Sequence, residues 1–67
     1  MTAFTTKGNP IFIGSKVIIP EPQEDDTWTY GMISEVDDIN DDGTIMFMDN
    51  EYNEHEIDIE RVQSYEG

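Results

Sequence analysis

Trp28-Thr-Tyr-Gly-Met-Ile-Ser-Glu-Val36 carries the main structural pattern of the chain, together with Thr44-Ile-Met-Phe-Met48 and Glu54-His-Glu-Ile-Asp-Ile-Glu60, which follow it. Each stretch alternates apolar or aromatic residues with polar ones, and this is the period of a half-buried β-strand. Segments 37–43 and 49–53 separate the three stretches and are rich in Asp and Asn, which favour turns. The sequence therefore predicts three consecutive strands that fold back on one another.

The alternation also predicts which side chains face the core. In the first stretch, Trp28, Tyr30 and Met32 share one face, and Ile33 lies on the other face with Val36, which joins it across a β-bulge. In the two later stretches, the side chains predicted to point inward are Ile45, Phe47, His55, Ile57 and Ile59.

The rest of the chain completes a small all-β domain. Lys16-Val-Ile-Ile19 is a β-branched strand that Pro20 ends, and the acidic segment 20–26 is an exposed loop. A helical turn at 60–62 leads into a short last strand at 63–65. Regularly spaced short strands are typical of sandwiches and barrels, and a chain this short favours one closed barrel, which hides its strand edges.

Charge restricts the possible partners. The 67 residues include sixteen Asp and Glu against three Lys and Arg, a formal net charge of −13. Lys7, Lys16 and Arg61 cannot form the basic face that phosphate contacts require, so we expect no direct binding to nucleic acid or to an anionic membrane. Complementary charge favours a basic partner, although excess charge can also serve solubility alone.

Cysteine usage and hydropathy indicate the compartment. The chain has no cysteine, which excludes disulfides, thiolate metal sites and a cysteine nucleophile. Its first residues lack the long apolar stretch of a signal peptide, and no run approaches the roughly 20 apolar residues of a membrane span. We therefore expect a cytoplasmic protein.

Four segments together resemble a known family. They are Gly14-Ser-Lys-Val17, Tyr30-Gly-Met-Ile-Ser-Glu-Val36, Asp42-Gly-Thr-Ile-Met-Phe-Met-Asp49 and Ile57-Asp-Ile-Glu-Arg-Val62. The pattern resembles the SH3-like small barrels and, within them, the Tudor group. The resemblance implies an all-β, SH3-like (Tudor-like) barrel of about five antiparallel strands over residues 14–66. Residues 1–13 would form an N-terminal arm, in which Ile11-Phe-Ile13 can add an edge strand.

The resemblance also implies an aromatic cage at one end of the barrel. Phe47-Met-Asp-Asn-Glu-Tyr-Asn53 is similar to a Tudor segment with an aromatic, an acid, a tyrosine, a glycine and an asparagine, but has one residue more and no glycine. Aromatic faces attract cations by about 0.5–2 kcal/mol each. The alternative is that Phe47 belongs to the core and the earlier aromatics cover the barrel. The candidate binding residues are Trp28, Tyr30, Phe47, Asp49, Tyr52 and Asn53.

An outer apolar stripe is a second candidate site. If the first two stretches pair as a hairpin, Trp28 and Tyr30 cluster on the outer face with Met32, Met46 and Met48. Exposed apolar patches mark interfaces, and methionine is common on adaptable ones. The three methionines are therefore candidate interface residues, for a partner or for a homodimer. The alternative is that segment 11–13 covers the stripe.

Metal binding and catalysis are two further functions to consider. Asp38-Ile-Asn-Asp-Asp-Gly-Thr-Ile-Met-Phe-Met-Asp49 matches the EF-hand loop except for Asp at its twelfth position, but its flanks do not supply amphipathic helices. We predict no metal ligand and no cofactor, and leave open whether this loop binds calcium. His55 is the single histidine and has no evident nucleophile, so we predict a structural role and no catalytic residue.

These observations favour a non-catalytic interaction module that binds a basic protein segment. Two alternatives stay open. Ordered carboxylates can imitate phosphates, so the protein can be an acidic nucleic-acid mimic that inhibits a DNA-binding protein. It can also be a structural or assembly domain, since fold alone does not determine function.

Overall fold

The fold consists of short strands in a computed structural model that describes residues 3–4 and 8–65. The strands are β1 (Ala3–Phe4), β2 (Pro10–Ile11), β3 (Lys16–Ile19), β4 (Met32–Ile39), β5 (Thr44–Met48), β6 (Glu54–Asp58) and β7 (Gln63–Ser64), and a 3₁₀ helix (Ile59–Arg61) joins β6 to β7. The part of the chain that is described has no α-helix. It also has no helix long and apolar enough to cross a membrane.

Five strands form one antiparallel sheet in the order β6-β5-β4-β3-β7, and β1 and β2 form a separate two-stranded sheet. β4 serves both halves of the large sheet, because residues 32–35 pair with β3 and residues 36–39 pair with β5. Within the described residues β6 and β7 do not pair, so the sheet is open. The all-β prediction is confirmed, whereas closure into a barrel is not.

The core lies on one face of this sheet, and the predicted inward faces of β5 and β6 are confirmed. Ile45 and Phe47 are fully buried, and His55 and Ile57 are buried beside them. Ile59 packs against this cluster at the start of the 3₁₀ helix, one residue before the predicted turn. The other buried apolar residues are Ile11, Val17, Ile19, Trp28, Val36, Ile39 and Val62.

The predicted strand 28–36 begins too early. The chain bends at residues 27–30 instead. In this bend the Trp28 side chain enters the core, where it is only 3% exposed, and its Nε1 donates a hydrogen bond to the Pro20 carbonyl at 2.9 Å. Gly31 follows at a close backbone approach, since a Cβ there would lie 3.1 Å from the Ile19 carbonyl oxygen. β4 therefore starts only after this contact.

The predicted faces of this strand are wrong as well. Ile33 is 51% exposed, whereas Met32 packs against the core. The bulge predicted between Ile33 and Val36 lies instead between Val36 and Asp38. Its extra residue resets the alternation, so β4 continues through the predicted turn and buries Ile39.

The N-terminal segment contributes to the core. Ile11, in β2, is fully buried, while Phe12 and Ile13 are exposed at the turn that leads into β3. β2 pairs with β1, so it is not an added edge of the large sheet. Of the predicted arm 1–13 and barrel 14–66, residues 1–2, 5–7 and 66 lie outside the described residues.

Candidate functional site: a cleft beside the Asp49 turn

A cleft of about 150 Å³ lies between the bend that precedes β4 and the turn that joins β5 to β6. The Tyr30 hydroxyl accepts a hydrogen bond from the Asn50 side-chain amide, which connects its two sides. Three of the predicted binding residues, Tyr30, Asp49 and Asn53, meet here. The residues that line the cleft are Thr27, Thr29, Tyr30, Asp49, Asn50, Glu51 and Asn53.

The Asp49 carboxylate organises the turn. Its Oδ1 accepts hydrogen bonds from the backbone N–H groups of Glu51 at 2.8 Å and Asn53 at 3.0 Å. Its own N–H donates to the Asn53 carbonyl at 3.0 Å, and its carbonyl accepts from the Tyr52 N–H at 3.1 Å. A tight turn with these bonds needs one residue in the left-handed region, and Tyr52 takes it at φ 64°.

His55 joins this turn to the opposite side of the cleft. It is 6% exposed, with Nε2 2.8 Å from Asp49 Oδ2 and Nδ1 2.6 Å from Thr27 Oγ1. A carboxylate only accepts, so Nε2 carries a proton, and in the neutral ring Nδ1 accepts from the threonine hydroxyl. The hydrogen bond from His55, with those from the Asn53 and Glu51 backbones, holds the pKa of the Asp49 carboxyl well below its usual range.

An ion pair between Arg61 and Asp26 holds the loop just before the bend. The Arg61 guanidinium donates to both carboxylate oxygens of Asp26, at 2.9 and 2.8 Å, and lies 5.4 Å from the centre of the Trp28 ring. The Gln23 N–H adds a 2.6 Å bond to the same carboxylate. Arg61 first, and then the Gln23 N–H, lower the pKa of Asp26 to about 2. The pair orders the loop and neutralises one of the chain's three cationic side chains.

Of the four aromatic residues predicted to form the cage, two are buried and two are exposed. Trp28 and Phe47 belong to the core, where their rings pack edge to face at 5.4 Å and His55 lies 5.3 Å from Phe47. Tyr30 is partly exposed and Tyr52 is 83% exposed. The structure thus places Trp28 and Phe47 beneath the site rather than in an open cage, and the binding role of the predicted residues stays a prediction.

The predicted outer stripe has a different membership in the structure. Trp28 lies in the core, and Met32 packs against the core from β4. Met48 is 44% exposed and Met46 is half-buried, so these two methionines keep the outward direction that the alternation predicts. Their interface role also stays a prediction.

The segment that matches the EF-hand pattern is a β-hairpin in the structure. The Asp42 carboxylate accepts hydrogen bonds from the Thr44 hydroxyl at 2.6 Å and from its N–H at 3.2 Å, while Gly43 takes φ 88° at the turn. Among the residues described, no group of three or more His, Cys, Asp or Glu side chains could hold a metal ion.

Sequence reasoning missed Thr27, Thr29, Asn50 and Glu51, which line the cleft. The turn prediction at 49–53 was the available signal for the last two. No local signal connects Thr27 with His55, because 28 positions separate them.

The described fold and cleft define a small antiparallel β protein that is compatible with an SH3-like fold. No protein-family model matches the chain, and neither a curated protein nor a solved structure matches it.

Proposed function

We propose that this chain is a Tudor-like member of the SH3-like barrels and a non-catalytic interaction module that binds a basic protein segment in the cleft. Three features support the fold assignment. The sheet order runs β6-β5-β4-β3-β7, a long loop joins β3 to β4, and a 3₁₀ turn precedes the last strand.

The observation that carries the proposed partner is the lining of the cleft. It combines the Tyr30 ring with the side chains of Asp49 and Glu51, and no Lys or Arg is among its lining residues. Arg61 is paired with Asp26, and Lys16 lies opposite Glu35 in the β3–β4 register. A Lys or Arg side chain entering the cleft therefore meets negative potential and an aromatic face, which together favour a cation.

The non-catalytic part of the proposal is supported by the role of His55. Both of its ring nitrogens are already engaged, one by Asp49 and one by Thr27, across the two sides of the cleft. Asp49 is in turn held by the backbone of its own turn. The network has the properties of a structural connection, because satisfied buried polar groups fix one arrangement of the surrounding chain.

A peptide titration tests this function. The probe is a Lys/Arg-rich peptide added to ¹⁵N-labelled protein at low and at high salt, with a Glu/Asp-rich peptide of equal length as the control. We expect the basic peptide alone to shift the amide signals of Thr27, Asn50 and Asn53, and we expect high salt to weaken its binding. Basic peptide that shifts none of these signals would refute the proposal.

Two variants test whether binding depends on the cleft or only on the overall negative charge of the protein. Tyr30→Leu keeps an apolar side chain but removes the aromatic face, and Glu51→Gln removes one carboxylate from the lining. The matched control is Glu24→Gln, because Glu24 is exposed outside the cleft. We expect each cleft variant to weaken binding about twofold to fivefold, and the control to weaken it less.

One observation favours the acidic nucleic-acid mimic as a second candidate. Three exposed acids, Glu54, Glu56 and Asp58, alternate along β6, which gives a regular row of carboxylates about 6.7 Å apart. A mimic would bind the DNA site of a DNA-binding protein through such a row. Its binding would not change with Tyr30→Leu, which distinguishes it from the cleft.

A further inference from the structure

The outer face of β4, β5 and β6 carries methionines between carboxylates. The strand register pairs Asp38 with Met46 and Met46 with Glu56, and it pairs Met48 with Glu54. Residues directly opposite each other in antiparallel strands point to the same side of the sheet. These five side chains therefore share one surface, which we call the methionine face.

The methionine face presents both apolar and charged atoms to solvent. Met48 is 44% exposed, Met46 is half-buried, and the three acids are exposed. The core lies on the opposite side, because Ile45 and Phe47 alternate with the methionines along β5. Apolar surface at this place does not contribute to the core, so it is available for a partner.

Two side-chain hydrogen bonds connect β5 and β6 with β4 at the ends of the methionine face. The Ser34 hydroxyl donates to the Met48 carbonyl at 3.2 Å, which brings β4 beside Met48 at this point. At the other end, the Asn40 side-chain amide donates to Glu56 Oε2 at 3.2 Å. The apolar part of the face lies on β5, with the carboxylate of Asp38 on its β4 side and those of Glu54 and Glu56 on its β6 side.

The charge of the methionine face selects its partner. Desolvation, and then the neighbouring Asp37, raise the pKa of Glu54, which indicates closely packed acids. A second copy of the chain, with net charge −13, would bring acid against acid on this face. A cationic segment would relieve the same repulsion.

We propose that the methionine face is a second contact surface for the basic partner, and that it takes a segment in which Lys or Arg alternates with apolar residues. This inference rests on the proposed function. Methionine side chains adapt to irregular apolar surfaces, while Lys and Arg lay their stems along apolar atoms and direct their charged ends to carboxylates. The methionine face places methionine side chains beside carboxylates, so it fits both the apolar and the cationic residues of such a segment.

Methyl signals of the methionines report on this face directly. The experiment uses the 67-residue chain labelled with ¹⁵N and with ¹³C at the methionine methyls, and the probe is an eight-residue peptide of alternating Lys and Leu. We expect the methyl signals of Met46 and Met48 to shift with the peptide, and that of Met32, packed against the core, to stay. A Lys/Ser peptide of equal charge should bind more weakly and shift them less.

Two double variants test whether the peptide binds through the acids of the methionine face or only through the overall charge of the protein. The double variant Glu54→Gln/Glu56→Gln removes two charges from the face, and Glu24→Gln/Asp25→Asn removes two exposed charges elsewhere. We expect about a tenfold loss of affinity for the first pair, which corresponds to two exposed ion pairs, and a smaller loss for the second.

The outcomes distinguish this inference from the proposed function. Equal losses in both double variants, or unchanged Met46 and Met48 methyl signals while cleft amides shift, would overturn the methionine face and leave the cleft in place. Methyl shifts without any cleft shifts would overturn the cleft as the binding site and support the methionine face as the surface that binds the segment. An unchanged spectrum throughout would overturn both.

Discussion

Replacing Trp28 by Phe tests whether this residue is part of the core or part of an open binding surface. The Trp28 indole is 3% exposed, donates to the Pro20 carbonyl at 2.9 Å and packs edge to face on Phe47. The substitution removes the hydrogen bond, worth about 1 kcal/mol. It also leaves a void in a close-packed region, which costs on the order of 1–2 kcal/mol more.

We therefore expect Trp28→Phe to lower the free energy of unfolding by about 2–3 kcal/mol. A chain of this length has a total stability of roughly 3–10 kcal/mol, so the midpoint temperature should fall by about 10 °C or more. The assay is urea unfolding followed by far-ultraviolet circular dichroism, because the variant lacks the chain's single tryptophan.

The matched control is Tyr52→Phe, at a side chain that is 83% exposed. It should change stability by less than about 0.5 kcal/mol. If Trp28→Phe is as stable as this control, Trp28 does not belong to the core and the account of the bend before β4 is wrong.

Three further predictions concern acid stability and two turns. The pKa of Asp26 is lowered from its ordinary 3.8 to about 2, so the stability that its charged form contributes is present above pH 3.8 and is lost as the pH falls toward 2. Arg61→Gln removes the cause of this lowered pKa, so in an acid titration the variant should lose less stability than the unmodified chain over the same pH range. Tyr52→Gly relieves a left-handed residue at φ 64° and should raise the free energy of unfolding by up to about 1 kcal/mol in urea; a decrease would contradict this. Gly43→Ala, at φ 88°, should lower the midpoint temperature by roughly 5 °C, and an unchanged midpoint would show that the turn relaxes without cost.

The strands that the sequence predicts well are those whose alternation is unbroken. β5 and β6 pair without a bulge over their whole length, so Ile45, Phe47, His55 and Ile57 all face inward as the period-2 pattern requires. The prediction for β4 fails because the alternation of this strand changes at the bulge after Val36. A local sequence pattern does not determine where the extra residue of a bulge lies.

Residue pattern alone predicted the candidate site only where its residues are close in the chain. The turn at 49–53 was recognisable from its composition, and the family resemblance added Tyr30, which the structure brings to the same cleft. The contact of Thr27 with His55 depends on how the long β3–β4 loop folds back, and residue spacing carries no information about that. The cytoplasmic compartment and the absence of direct nucleic-acid binding stay predictions.

The pairing of β3 with β7 determines how the sheet would respond to mechanical load. The Tyr65 N–H donates to the Lys16 carbonyl at 3.0 Å, so the first and last strands of the large sheet have their outer ends side by side. A force that pulls these two ends apart acts across the strands, and the bonds between β3 and β7 open one after another instead of sharing the load. A domain loaded at the outer ends of β3 and β7 would therefore yield at low force, beginning with β7, while the hairpins of β4, β5 and β6 stay paired.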